Sequence, residues 1–284
     1  MSFLYAGRGG TTKTINAEHK RSLENMRLHG NYFDQQKAIV AVDLAASREW
    51  LDIPHLRFET ESLLCAAQEQ ALATNHVRTK IWKTHNNSMC RLCKTQNETV
   101  QHIVSGCKML AGTQYLHRHN QVAKYLHWNI LRDLKLKVSD SWLKHEPQES
   151  ITIDGVNVMW DSYLLTDRKV AHNCPDIVIH NTNTRSCIII DVAIPVCQNV
   201  MRKTAEKITK YRDLEIELQK CWNLKEVQTI PVVIGALGTV LCGIGRYLRI
   251  ISPHVKFDVC QRTALLGTAH ILRNFLTPYK STHP

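Results

Sequence analysis

The most restrictive pattern in the chain is Cys90-x2-Cys93-x8-His102-x4-Cys107. A tetrahedral zinc site needs four soft or borderline ligands brought to one point by short loops. A CxxC turn followed by a His and a Cys about one helical turn apart supplies them. The spacing predicts a zinc lobe over residues 86–112, with Cys90, Cys93, His102 and Cys107 as ligands. The competing reading is chance spacing among ten cysteines. A lobe this small has no core of its own, so a structural zinc would supply its folding energy.

A second stretch, PDIVIHNTNTRSCIIIDVAIP at residues 175–195, places the apolar runs 177–179 and 187–194 on either side of a turn-rich segment, which predicts a β-hairpin. Asp176 and Asp191 lie at equal distances from the middle of that turn. A symmetrical hairpin makes them cross-strand neighbours, with Cβ atoms roughly 5 Å apart. Two carboxylates so close repel, and a divalent cation or a raised pKa on one of them would relieve it. A slipped register instead leaves both as solvated strand residues.

Charge narrows the class of partner. The 284 residues carry 36 Lys and Arg against 25 Asp and Glu, a net +11 before any of the 15 histidines is counted, which favours a polyanion such as nucleic acid. The 44% hydrophobic content is that of a globular chain with a core rather than a disordered one. The opening MSFLYAG lacks the basic and long apolar regions of a secretory signal, so reduced thiols and a nuclear or cytoplasmic location are expected. The run IPVVIGALGTVLCGIG at 230–245 is short for a bilayer and rich in glycine, so it reads as a buried strand over 230–237 and a loop, with no membrane partner.

Taken in order, residues 1–16 read as a mobile N-terminus and 17–85 as a helical region. Its helices are expected over 17–29, 32–51 and 59–83, the last with Glu59 and Glu61 at its start and Arg78, Lys80 and Lys83 at its end. A helix over 115–137 carries Tyr115, His119, Val122, Leu126, Ile130 and Leu134 on its apolar face. Arg118, Lys124, Arg132, Lys135 and Lys137 fill its other faces, as nucleic-acid contacts or simply as a solvated side. A polar linker at 144–150 follows. Val156, Val158, Trp160 and Ser162 then alternate as a strand, with Asp161 on the opposite face. After the hairpin, one helix over 200–222 is expected, capped by Asn199. It buries Met201, Ala205, Ile208, Tyr211, Leu214, Leu218 and Trp222, with Lys203, Lys207 and Lys210 on the neighbouring face. An amphipathic helix over 262–276 ends the chain.

The order helix, three strands, helix, strand, helix, with PD at 175–176 and an aspartate at 191, resembles the PD-(D/E)XK nuclease superfamily. Together with the upstream Cys-Cys-His-Cys set, five phrases narrow the resemblance: TESLLCAAQEQAL (60–72), CRLC…ETVQHIVSGC (90–107), YLHRHN (115–120), EKITKY (206–211) and PVVIGALGT (231–239). Residues 55–276 are similar to the C-terminal part of non-LTR retrotransposon open reading frames that encode a restriction-like endonuclease. The resemblance implies an α+β protein: an N-terminal helical region with a small zinc knuckle, then a restriction-endonuclease-like mixed sheet flanked by helices over 113–284. It implies catalytic Mg²⁺ on Asp176, Asp191 and the Val192 carbonyl, beside the structural zinc. Ala193 stands where the superfamily has its lysine, but this family draws it from the following helix, where Lys207 or Lys210 matches. Cys174 replaces the usual Arg or Lys before PD.

The implied activity is nicking of DNA by a metal-dependent endonuclease, with DNA and element RNA as partners and Arg118, Lys124, Arg132 and Lys203 as contacts. No Asp-Asp pair occurs in the sequence, so the polymerase portion of such an element is not expected within these residues. Two alternatives remain: a non-catalytic nucleic-acid-binding protein derived from such an element, and a zinc-stabilised interaction module.

Overall fold

The computed structural model describes residues 32–52 and 56–277. The expected helix over 17–29 and the N-terminal segment 1–16 lie outside these. The protein is α+β, with a five-stranded mixed sheet and helices against it.

The helix expected over 32–51 is two helices, α1 (Tyr32–Lys37) and α2 (Leu44–Arg48), the second continued by a tighter turn Glu49–Asp52. Between them the chain is drawn sideways. Asp43 N–H donates to Val240 O at 3.0 Å and Cys242 N–H to Ala41 O at 2.9 Å, while the Asp43 carboxylate caps α2 by accepting Ala46 N–H at 2.9 Å. Pairing with a distant loop satisfies the backbone in place of a continuous helix. The stretch 59–83 divides in the same way into α3 (Phe58–Gln68) and α4 (Asn75–Lys80). Gln70 sits at φ 56°, which no α-helix tolerates, and the Thr74 hydroxyl caps α4 by accepting Val77 N–H at 3.3 Å.

Helix α5 (Leu116–Asp133) buries Val122, Leu126 and Ile130 as its periodicity predicts. The segment read as a polar linker is anchored, because His145 is buried and stacks on His127 with ring centres 5.1 Å apart. Strands β1 (Ser150–Ile153), β2 (Val156–Trp160), β3 (Ile177–Asn181), β4 (Ser186–Ala193) and β5 (Glu226–Val233) follow in sheet order 1-2-3-4-5, antiparallel except for the parallel β4–β5 pair. The sequence reading omits β1, although Asp154-Gly155 is a strong hairpin signal. Both residues adopt positive φ, 47° and 77°, as a two-residue turn between twisted strands requires.

Between the parallel strands run α6 (Val200–Lys210) and α7 (Arg212–Cys221), not one helix. The break at Tyr211 (φ −102°) rotates the two faces: Tyr211, Leu214 and Leu218 are fully buried, whereas Met201 and Ala205, expected inside, are exposed and Val200 takes their place. Helix α8 (Ile244–Ile251) was not expected, and α9 (Phe257–Leu276) begins five residues before the expected 262. One apolar cluster joins Trp50, Leu64, Cys107, Leu126, Ile190, Val232 and Leu265, so the helical region, the Cys/His lobe and one sheet face share a core. Among the described residues no helix is long and apolar enough to cross a membrane.

Candidate metal centre and acid–lysine site

Cys90, Cys93, His102 and Cys107 converge: one ligand atom from each lies within 4.8 Å of all the others. The Cys90 and Cys107 sulfurs are 3.9 Å apart and Cys93 Sγ is 3.3 Å from His102 Nε2. A tetrahedron with Zn–S bonds of about 2.3 Å has S–S edges of about 3.8 Å, so the set could hold a metal such as zinc. The local fold supplies the geometry. Lys94 takes a left-handed φ of 53° to close the CxxC turn, and buried Glu98 anchors the loop by accepting from Asn75 N–H and the Arg91 guanidinium at 2.8 and 2.6 Å. His102 Nδ1 lies 3.0 Å from Gln96 Oε1, which orients the ring and leaves Nε2 to the cluster.

The turn from His102 to Gly106 is of the wide π type, one residue longer than an α turn. That accommodates five residues from His102 to Cys107. Tyr115 fills the widened turn, its hydroxyl donating to Ile103 O at 2.6 Å and accepting Cys107 N–H at 3.1 Å. Hydrogen bonds from Thr95 bring the Cys93 thiol down to about 6, whereas burial pushes Cys107 up to about 11. Cys93 is therefore the ready thiolate, and a bound cation would favour ionisation of Cys107 as well.

At the second site the hairpin has the symmetrical register. Ile177 pairs with Ile190, so Asp176, one residue before β3, projects opposite Asp191. Of the two expected remedies for the repulsion, a raised pKa is not found at Asp176. Each carboxylate has its own donors. Asp176 Oδ2 accepts Val192 N–H at 2.6 Å and lies 3.0 Å from His119 Nε2, which is also 3.2 Å from Val192 O. Burial favours neutral Asp176, but the hydrogen bond and charge of His119, the Val192 N–H and Lys207 outweigh it and hold the carboxyl below its usual range. Burial likewise works against a charged His119, yet the hydrogen bond and charge of Asp176 bring it up to about 9.

Asp191 is fully enclosed, with 1% of its surface exposed. Lys207 forms an ion pair with its Oδ2, while Lys210 Nζ and the Tyr211 hydroxyl reach Oδ1 at 3.4 and 2.5 Å. Burial and the Asp191 charge push the Tyr211 hydroxyl far above its ordinary range, so it stays a donor. Both candidate lysines thus meet the second aspartate. Asp176 Oδ2, Val192 O and His119 Nε2 form a compact set of two oxygens and a nitrogen that suits a divalent cation. Among the described residues, Asp191 does not join Asp176 and His119 in a three-side-chain cluster as tight as the cysteine–histidine one.

The other expected residues scatter. Arg118, expected on nucleic acid, is buried to 2% exposure. Its guanidinium donates to Thr268 Oγ1 at 2.8 Å and Ile194 O at 3.3 Å and lies 5.3 Å from the Tyr115 ring centre. It is a strut between α5, α9 and the end of β4, because α9 packs directly over that face of α5. Lys124 donates to Leu143 O at 3.0 Å, and exposed Arg132 lies over Trp128 at 4.5 Å. Lys203 pairs with Glu206 at 2.6 Å on the rim of a cleft of about 540 Å³. Ser105 and Gly106 of the Cys/His lobe form one wall of that cleft; His119, Val192, Arg202, Lys203 and Lys207 line the rest. Cys174 points at Asp161 Oδ1, 3.6 Å away.

His119 and Tyr211 are the site residues that sequence reasoning missed as such. Both lie on apolar stripes, so periodicity assigned them to the core. For His119 the remaining signal is its position within YLHRHN. No protein-family model matches the chain, and no curated protein matches it.

Proposed function

We propose that this chain is a metal-dependent DNA endonuclease that nicks one strand, of non-LTR retrotransposon origin, with the Cys/His lobe forming part of its grip on nucleic acid. The observation that carries this reading is the convergence on Asp191 of Lys207 and Lys210, two lysines from the helix after β4. Asp191 is itself in register with Asp176. Two carboxylates, a strand carbonyl and helix ammonium groups, with Val192 and Lys207 lining a cleft, are the parts that phosphodiester hydrolysis needs.

Asp176 and the Val192 carbonyl would hold the ion, with Asp191 beside them. When bound, Mg²⁺ supplies an activated water and charge stabilisation for the attacked phosphate. Lys207, closest to Asp191 and lining the cleft, offsets negative charge developing on the phosphate oxygens. Tyr211 fixes the Asp191 carboxylate through its short hydrogen bond. Arg202 and Lys203 on the rim meet the backbone of DNA or element RNA, a role that goes with nuclear residence.

The test is nicking of supercoiled plasmid with Mg²⁺ or with EDTA. Relaxed circles should form only with the metal, and Asp176→Ala or Asp191→Ala should abolish them while leaving binding intact or slightly tighter. Nicking by either variant at the unmodified rate refutes the site. A second reading, a non-catalytic nucleic-acid-binding protein, is favoured by the burial of Asp191 beneath two lysines and a tyrosine and by Cys174 in place of a cation. It predicts salt-dependent DNA binding with no nicking under any metal.

A further inference from the structure

We propose that His119 is a ligand of the divalent ion at the Asp176 site, and that its nitrogen biases the site toward Mn²⁺ and away from Mg²⁺. The inference rests on the nuclease reading for the purpose of the ion, but its geometry is independent of that reading.

The argument starts from where the imidazole points. His119 Nε2 lies 3.0 Å from Asp176 Oδ2 and 3.2 Å from Val192 O. One ring nitrogen facing two acceptor oxygens points its N–H between them, and an ion that displaces that proton would find the lone pair aimed at the same place. Adjacent donors around an octahedral ion with bonds of about 2.1 Å are about 3.0 Å apart, the length of these contacts. An ion over this triangle would meet all three donors with little rearrangement of the side chains. Two of them, Asp176 and the Val192 carbonyl, are among the three ligands that the resemblance implies, Asp191 being the third.

The protein frame prevents His119 from simply swinging away. It occupies the first turn of α5, flanked by Arg118, whose guanidinium is tied to Ile194 O at the end of the same β4 strand that presents Val192. Helix and strand ends are thus fixed to each other on both sides of the site. The ring also faces the cleft that Lys203 and Lys207 line, so an ion held there would be open to a phosphate.

The chemical consequence follows from donor type. Mg²⁺ takes oxygen ligands and sheds water reluctantly, whereas imidazole suits borderline first-row ions. A nitrogen beside one carboxylate and one carbonyl therefore favours Mn²⁺ over Mg²⁺.

The experiment is Mn²⁺ titration of the zinc-loaded chain, followed by electron spin resonance, with Mg²⁺ as competitor and pulsed detection of nitrogen coupling. The expected result is one Mn²⁺ per chain, bound at least tenfold more tightly than Mg²⁺ and coupled to one imidazole nitrogen. In His119→Gln, which keeps a hydrogen-bond donor for Asp176, the coupling should vanish and the preference should fall at least tenfold. Thermal melting verifies that this variant folds, and His119→Asn replaces it if it does not. Absence of nitrogen coupling in the unmodified chain, or unchanged Mn²⁺ affinity in the folded variant, overturns the proposal. Nicking without nitrogen coupling refutes His119 and leaves the nuclease reading standing. Nitrogen-coupled Mn²⁺ without nicking under any metal does the reverse.

Discussion

Substituting Gly267 by alanine tests the assignment of Arg118 as an internal strut. Gly267 lies in the middle of α9, where a glycine-to-alanine change ordinarily stabilises by about 1 kcal/mol. Here the added Cβ would sit 2.5 Å from Arg118 Cγ, 2.9 Å from its Cβ and 3.0 Å from its Cδ. These atoms form the root of the side chain, and its far end is tied to Thr268 and Ile194, so no rotamer change clears them. Either α5 and α9 separate or the guanidinium leaves its partners. Overpacking costs about 1–3 kcal/mol, and loss of a hydrogen bond from a charged donor about 1.5–3. Set against the propensity gain, the net loss is about 2 kcal/mol, or roughly 5 °C in melting temperature for a domain of this size. In an Arg118→Gly background, which also removes the Cβ at 2.9 Å, the obstruction is gone, and the same change should stabilise by about 1 kcal/mol, a coupling of about 3 kcal/mol between the positions. Urea and thermal unfolding of the four proteins measure this directly. If Gly267→Ala stabilises the unmodified chain, Arg118 does not occupy the helix interface and its reading as a surface phosphate contact regains force.

Cys93→Ser should remove most of the zinc found by elemental analysis of freshly purified protein and loosen the lobe that walls the cleft; unchanged zinc would refute the four-ligand set. Tyr211→Phe deprives buried Asp191 of a short hydrogen bond and should cost about 1.5–3 kcal/mol, read as a lower urea midpoint at constant slope. The buried His127–His145 pair sets an acid limit. Burial first, and then His145, bring His127 down to about 4 against 6.5 for an ordinary histidine. The unfolded chain therefore binds the proton more readily between those values. The His127 contribution is complete above about pH 6.5 and declines as the pH falls towards 4, by about 2 kcal/mol at pH 5. His127→Leu should flatten that part of the stability profile. His119, raised to about 9, acts in another window: its contribution is full below about pH 6.5 and is lost as the pH rises through 9.

Elements that close on themselves were legible in the sequence. The Cys-Cys-His-Cys spacing is local, so its convergence needed only short loops, and the wide turn at His102–Gly106 adjusts it by one residue. The hairpin followed from two apolar runs about a turn-rich segment, and of the two registers that the sequence left open the structure has the symmetrical one. The periodic core of α5 was likewise readable.

What the sequence left open lay wherever a distant segment competed with local preference. Residues 32–51 and 59–83 carry helical composition throughout, yet contacts with the loop after β5 interrupt the first, and the left-handed residue Gln70 the second. The long helix over 200–222 breaks at Tyr211, which meets Asp191 across the sheet. The functional consequence is largest for side chains with both apolar bulk and a polar tip. Periodicity records only their bulk, so His119 and Tyr211 read as core and Arg118 as surface. Only tertiary packing decided which polar tips face the aspartates and which guanidinium is enclosed, because those contacts join residues 20 to 150 positions apart that no local pattern encodes.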